Sequence, residues 1–336
     1  MLPALLAALL AMTQLLTWPD LTKRVRPTPD ATIEYGADSL QKVDLWRPAG
    51  PGPFPVVVMV HGGCWQTSIA DRRLMDWIAD DLRRDGIAVW NIDYRGVDRA
   101  GGGYPGTFTD AAAATDALAT HAKQYALDTR RVVAVGHSAG GHLALWLAAR
   151  AHLPATSPLR TKRPLKLAHV ISLGGLPDLE ATATSPDNGC GTEVVAKLVG
   201  QEALETVRDD PYTDTSVPRL LPLGVPQHLV NGREDKIIPY RMATDYVTRA
   251  QAAGDRVTLH TVPMTGHVEL IAPETAAWAE TKRLIRAALK SSPERGGGPP
   301  ASSAGGGGGS RPGTLHASTT PSVAPRHLPV PGRIEP

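Results

Sequence analysis

Arg131 to Val135 (RVVAV) runs directly into Gly136-His137-Ser138-Ala139-Gly140, and Gly141 then opens an apolar helical run. This succession commits the chain to a strand, a tight turn and a helix folded back on the strand. Glycines on either side of the serine let the backbone bend sharply, which lifts the Ser138 hydroxyl clear of the sheet edge. Ser138 is therefore a nucleophile candidate. Small residues around a serine also arise by chance, so the weight of the motif rests on its surroundings.

Those surroundings read as alternating strands and helices. The expected strands are Ala31–Tyr35, Leu40–Trp46, Pro55–Val60, Gly86–Ile92, Arg131–Val135, Leu167–Leu173, Gln227–Val230 and Arg256–Val262. The first two are close enough for a hairpin around Gly36-Ala37-Asp38-Ser39. Several of the others are unbroken apolar runs, as strands buried on both faces should be. Helical patterns cover Ala70–Arg84, Thr109–Tyr125, Ala139–Leu153, Glu193–Val207, Tyr240–Ala252 and Pro273–Leu289. From the third strand onward strand and helix alternate, which predicts an α/β domain with a mostly parallel sheet and helices on both faces. The interval of about 176–223, rich in Pro, Gly and Asp around its one helical pattern, is longer than a plain connection and predicts a small cap.

The ends of the chain differ from its middle. Beyond Lys290, residues 291–336 are dominated by Gly, Pro and Ser with no apolar period, and read as a flexible tail unable to bury a core. At the other end, Leu2–Leu16 is an apolar run too short for a bilayer span; it suits an export signal or an amphipathic start helix within a lead-in of residues 1–29. No Lys or Arg precedes it and no clear cleavage site follows, so export to the periplasm or outside the cell is only narrowly preferred over the cytoplasm. Residues 30–290 are left as one domain. With 35 basic and 33 acidic residues, scattered rather than striped, the chain offers no nucleic-acid footprint, and small-molecule substrates fit it better. Its two cysteines, Cys64 and Cys190, read either as free thiols or, if the chain is exported, as a bridge pinning the segment around Asn188–Gly191 beside the site.

Three further motifs follow strands. His61-Gly62-Gly63-Cys64-Trp65 closes the third, where a glycine-rich turn can hold the backbone N–H groups of Gly63 and Cys64 towards an oxyanion, with the Ala139 N–H as another donor. His61 itself reads as structural. Asn231-Gly232-Arg233-Glu234-Asp235-Lys236 closes the seventh and offers a carboxylate to orient a histidine; Asp235 is preferred, with Glu234 as its neighbour and competitor. Thr265-Gly266-His267 follows the eighth, and His267 is the general-base candidate. Of the other histidines, His137 lies inside the elbow, His142 and His152 on its helix, His169, His228 and His260 in strands, and His316 and His327 in the tail. Neither HExxH nor paired CxxC spacing occurs, so no metal and no cofactor is expected. Trp65, Tyr94 and Tyr104 are candidate pocket-lining aromatics.

Together HGGCW, Asp93-Tyr94-Arg95, GHSAGGH, GREDKIIP and TGH resemble the α/β-hydrolase superfamily over about residues 30–290. Within it they are similar to the carboxylesterase, hormone-sensitive-lipase-like and kynurenine-formamidase-like branch, together with bacterial feruloyl and acetyl esterases. The resemblance implies an eight-stranded α/β-hydrolase fold, a Ser138–Asp235–His267 triad in the superfamily's chain order, and an oxyanion hole from Gly63, Cys64 and Ala139. Cys64 stands where lipase-like members usually carry a third glycine, and formamidase-like members have a bulkier residue there; this blurs the subfamily rather than the catalysis. The leading expectation is a serine hydrolase of small carboxylic esters working through an acyl-enzyme. Alternatives are an amidase of the arylformamidase type and a catalytically silent fold used for binding.

Overall fold

The computed structural model describes residues 14–201 and 208–291. The apolar run from Leu2, except Gln14–Leu16, the tail beyond Ser291, and residues 202–207 of the helix expected at Glu193–Val207 lie outside the described residues.

Eight strands form one sheet: β1 (Ala31–Glu34), β2 (Lys42–Trp46), β3 (Phe54–Val60), β4 (Ala88–Ile92), β5 (Leu127–His137), β6 (His169–Leu173), β7 (Gln227–Gly232) and β8 (Val257–Val262). Their order is β1-β2-β4-β3-β5-β6-β7-β8. β2 pairs antiparallel with β1 and β4, and every pair from β4 to β8 is parallel. Among the described residues the α-helices are α1 (Trp18–Thr22), α2 (Asp76–Arg84), α3 (Gly106–Tyr125), α4 (Ala139–Ala149), α5 (Leu179–Thr184), α6 (Thr192–Val199), α7 (Arg241–Ala252) and α8 (Ala276–Ser291). This is the α/β-hydrolase fold.

Residues of β3 show how the sheet is buried. Val56, Val58 and Val60 join a core with Phe108 of α3, Leu143 of α4 and Met242 of α7, while Val57 and Met59 join a second core with Trp77 of α2 and Trp278 of α8. The period of two thus sends alternate side chains to two helical layers, and the run is apolar because neither face meets water.

Several boundaries depart from the sequence pattern. β5 begins at Leu127, four residues earlier than expected, because its ladder with β3 resumes after an irregularity between Pro55 and Val56. The helix expected from Ala70 starts as a 3-10 turn at Arg72, where the Asp71 side chain accepts the Arg73 N–H. Between β6 and β7, α6 stops at Val199 because Gly200 is left-handed (φ 78°). α5 was not expected; Asp178 caps it by accepting the N–H groups of Glu180 and Ala181, both at 3.1 Å. Among the described residues no helix is long and apolar enough to cross a membrane.

Candidate active site

Ser138 sits between β5 and α4 with φ 55° and ψ −124°, a conformation costly for a residue with a side chain. Its surroundings hold it there. The Ser138 N–H donates to the Leu173 carbonyl at the end of β6 (2.8 Å), and Ser138 O accepts Gly141 N–H at 2.8 Å as α4 begins. The elbow also presses on β3: a Cβ on Gly140 would lie 2.2 Å from the Val60 carbonyl oxygen. Ala139 opens α4, and an N–H in a first helical turn has no intrahelical acceptor, so it remains available to an anion at the positive end of the helix dipole.

The turn after β3 lies directly against this elbow. A Cβ on Gly62 would stand 3.0 Å from Ser138 Cβ. Gly63, Cys64 and Trp65 are successively left-handed, with φ of 103°, 51° and 53°, and two of them carry side chains, which costs on the order of 1–3 kcal/mol each. Buried polar groups brace the turn. His61 Nε2 meets Asp93 Oδ1 at 2.9 Å, Asp93 Oδ2 accepts Arg72 Nη1 at 2.9 Å, and the Tyr94 hydroxyl donates to the His61 carbonyl at 3.0 Å while its ring stacks on His61. Trp65 is fully buried, its ring edge-on to His142. Of the three aromatic candidates, Tyr104 is the one partly exposed; its hydroxyl donates to Asp214 Oδ2 at 3.1 Å and the Arg208 guanidinium lies over its ring.

Cys64 and Cys190 form a disulfide with Cα atoms 5.2 Å apart, so the free-thiol reading does not describe this chain. The bridge ties the turn after β3 to the loop before α6.

His267 and Asp235 meet beyond the ends of β8 and β7. His267 Nδ1 and Asp235 Oδ2 are 2.7 Å apart, both side chains buried. The second carboxylate oxygen of Asp235 accepts the N–H groups of Ile237 (2.8 Å) and Ile238 (2.9 Å), so its turn fixes the direction of the carboxylate. Glu234 faces elsewhere: its Oε2 accepts the Thr265 N–H at 3.3 Å, supporting the histidine loop from outside.

Two residues that the motifs did not single out pack on His267. His137 Nε2 meets the His267 carbonyl at 3.1 Å and the two rings lie 4.4 Å apart. Trp18 sets its ring edge against both, at 6.2 Å from His137 and 6.1 Å from His267. No local pattern around Trp18 signals this, because the contact spans the length of the domain. Burial, and the neighbouring His267, hold His137 well below an ordinary histidine pKa, and burial pushes His142 down to about 4. Both stay neutral near pH 7 and so add no positive charge to oppose an imidazolium at His267. Among the described residues no cluster of His, Cys, Asp and Glu could hold a metal ion.

The arrangement offers a serine on a strained turn, a histidine with a carboxylate behind it, and a glycine-bearing turn packed directly against the elbow. Such a set can run acyl transfer. The BD-FAE family model matches residues 43–249, a stretch that contains Ser138, the turn after β3 and Asp235. The chain is similar to "Probable isoprenylcysteine alpha-carbonyl methylesterase ICMEL1" of Arabidopsis thaliana, 32% identical over 114 residues, covering 34% of this chain and 23% of that protein. It is also similar to "Esterase LipI" of Mycobacterium tuberculosis, 34% identical over 124 residues, covering 36% and 38% of the two chains. The matches thus span less than half the length of these curated relatives. Among solved structures, Esterase B from Lactobacillus Rhamnosis aligns with a TM-score of 0.64 at 20% identity, covering 86% of this chain and 96% of that one, which speaks for the fold.

Proposed function

The chain belongs to the BD-FAE family, and on that premise we propose that it is a serine hydrolase of small carboxylic esters. Ser138 Oγ attacks the ester carbonyl while His267 Nε2 takes its proton, and Asp235 holds Nδ1–H and stabilises the imidazolium. The carbonyl oxygen becomes an oxyanion, received by the N–H groups of Ala139, Gly63 and Cys64. Collapse breaks the bond to the leaving alcohol, which departs with the proton from His267. A water, deprotonated by the same histidine, then attacks the acyl-enzyme, and the acid leaves as Ser138 regains its proton.

The observation that carries this reading is the 2.7 Å contact between His267 Nδ1 and Asp235 Oδ2, with the histidine loop docked through His137 on the elbow that bears Ser138. The names of the matched relatives, an esterase and a methylesterase, point the same way. In this reading the interval of about residues 176–223 acts as the cap that shapes the acyl pocket, beside the disulfide at Cys190.

A fluorophosphonate probe tests the proposal. It should form one adduct on Ser138 of the folded protein, and Ser138→Ala should lower p-nitrophenyl acetate turnover by about 10⁶-fold if the triad acts as a unit. A folded protein without an adduct would overturn it. Rates on p-nitrophenyl esters of increasing chain length then measure the acyl pocket.

A further inference from the structure

The disulfide joins residues 126 positions apart, and each end sits at a functional loop. Cys64 belongs to the left-handed turn beside Ser138. Cys190 belongs to a loop that is itself clamped: Asn188 Nδ2 donates to the carbonyls of Thr182 (3.1 Å) and Ser185 (2.6 Å), and its Oδ1 accepts the Cys190 N–H at 3.0 Å. The preceding residue, Gly189, donates its N–H to the Ile237 carbonyl at 2.7 Å. Its lack of a side chain matters there, since a Cβ would stand 2.8 Å from Ile237 Cγ2 and 2.9 Å from Ile237 O. Ile237 in turn gives its own N–H to Asp235 Oδ1 at 2.8 Å.

A continuous path therefore runs from the turn after β3 through the disulfide to Cys190, across Gly189 to Ile237, and through Asp235 to His267. Each link is a covalent bond or a hydrogen bond of ordinary length. The path crosses the mouth of the sheet from β3 to β7, outside the strand ladder that joins them through β5 and β6.

We infer that Cys190 and Gly189 are positioning residues, and that the Cys64–Cys190 bridge with the Gly189–Ile237 contact forms one brace setting the oxyanion turn and the Asp235 loop in mutual register. The inference rests on the triad and oxyanion reading above. Oxyanion donors act only when held where charge develops, and a misplacement of about 1 Å costs up to about 10²-fold in rate. Cys64 and Trp65, both left-handed without being glycine, need an external hold to stay there. The disulfide supplies one at Cys64, fastened to the loop that supports the acid.

Cys190→Ser, and separately Gly189→Ala with the bridge intact, test the brace. For each, the fraction of folded protein that is active is first titrated with fluorophosphonate. Per active site, kcat on p-nitrophenyl acetate should then fall about 10- to 100-fold, KM should change by less than about twofold, and butylboronic acid, which forms a tetrahedral adduct, should bind more weakly by a factor similar to the kcat loss. The double variant should lose little more than the worse single one, because both break the same path.

Amide hydrogen exchange gives a readout that needs no catalysis. In Cys190→Ser, protection should fall both at residues 61–66 and at 235–238. Loss confined to 61–66 and 188–192, or kcat per active site within twofold of the parent, overturns the brace. If Cys190→Ser fails to fold, phosphine reduction of the folded parent replaces it under the same criteria. If Cys190→Ser shows the coupled loss of protection while the parent takes no fluorophosphonate, the hydrolase reading is refuted instead, so the two failures are distinct.

Discussion

His137 Nε2 meets the main-chain carbonyl of His267 at 3.1 Å, so the residue preceding the candidate nucleophile holds the loop of the candidate base. A carbonyl can only accept, which makes Nε2 the protonated nitrogen of a buried, neutral ring. His137→Ala would leave the His267 carbonyl unpaired beside a cavity. We expect a stability loss of about 1–3 kcal/mol from the lost partner, and a fall in kcat beyond any loss of folded protein. His137→Gln, which can still reach with a side-chain N–H, should recover part of both. Equal losses in the two variants, by denaturant titration and by kcat per titrated site, would count against the hydrogen bond as the cause.

Asp235 and Glu234 are neighbours with different work. Asp235→Asn should lower kcat by about 10³- to 10⁴-fold, because an amide presented to Nδ1 favours the wrong tautomer. Glu234→Gln retains an acceptor for Thr265 N–H and touches no part of the His267 ring contact, so it should cost less than tenfold. Steady-state kinetics on the two variants decide it, and a reversed order would move the acid to Glu234.

The buried histidines should cost the fold stability in mild acid. Burial pushes His142 down to about 4, and His228 also to about 4, where the nearby His260, His169 and Arg283 add to the effect of burial and Glu280 opposes it. In the unfolded chain such groups protonate near 6.5. Between roughly pH 6.5 and 4 the unfolded state therefore binds more protons than the native one, so acid favours unfolding, with His142 contributing on the order of 3 kcal/mol. The destabilisation grows as pH falls and levels off below the folded pKa. Asp76, which burial raises to about 7, works the other way in the same window, because the native carboxyl takes up its proton before the unfolded one does, so the histidine share is read as a difference between variants. Thermal melts from pH 7.5 to 4.5 on the parent and on His228→Gln test this: the variant should lose less Tm across the range than the parent, and identical profiles would contradict a neutral buried His228.

The sheet could be read from sequence because its chemistry is local: five successive buried residues in Val56–Val60 fill both faces and admit little but apolar side chains. The strand–turn–helix around Ser138 was equally plain, since close approach demands glycine at fixed positions. What escaped reading depends on contacts between distant residues. α5 has six residues and begins on the Asp178 cap, too short for a 3.6-residue period to register. Trp18 reaches His267 only once the fold has brought together residues far apart in sequence. Spacing from Gly232 already favours Asp235 over Glu234 in the sequence, but the N–H groups of Ile237 and Ile238 that aim its carboxylate have directions no composition encodes. Whether Cys64 joins Cys190 stays open in the sequence, because it depends on how the fold brings the loop before α6 to the turn after β3.

Gly140 is packed closely against β3. A methyl at Gly140 would stand 2.2 Å from the Val60 carbonyl oxygen and 2.4 Å from that of His61, distances that backbone atoms cannot absorb by rotating a side chain. Gly140→Ala must therefore push α4 away from β3 or displace the start of the HGGCW turn. Either movement separates Ala139 from Gly63 and Cys64, the two sources of the proposed oxyanion donors. Removing a single such donor costs about 10²- to 10³-fold. Gly140→Ala should thus lose at least that in kcat, along with about 1–3 kcal/mol of stability from overpacking. The helix propensity of alanine, about 1 kcal/mol better than that of glycine, works in the opposite direction and is the smaller effect. Circular dichroism melts with kinetics on the same samples test the balance: a variant as stable and as active as the parent would mean that elbow and turn do not depend on this contact.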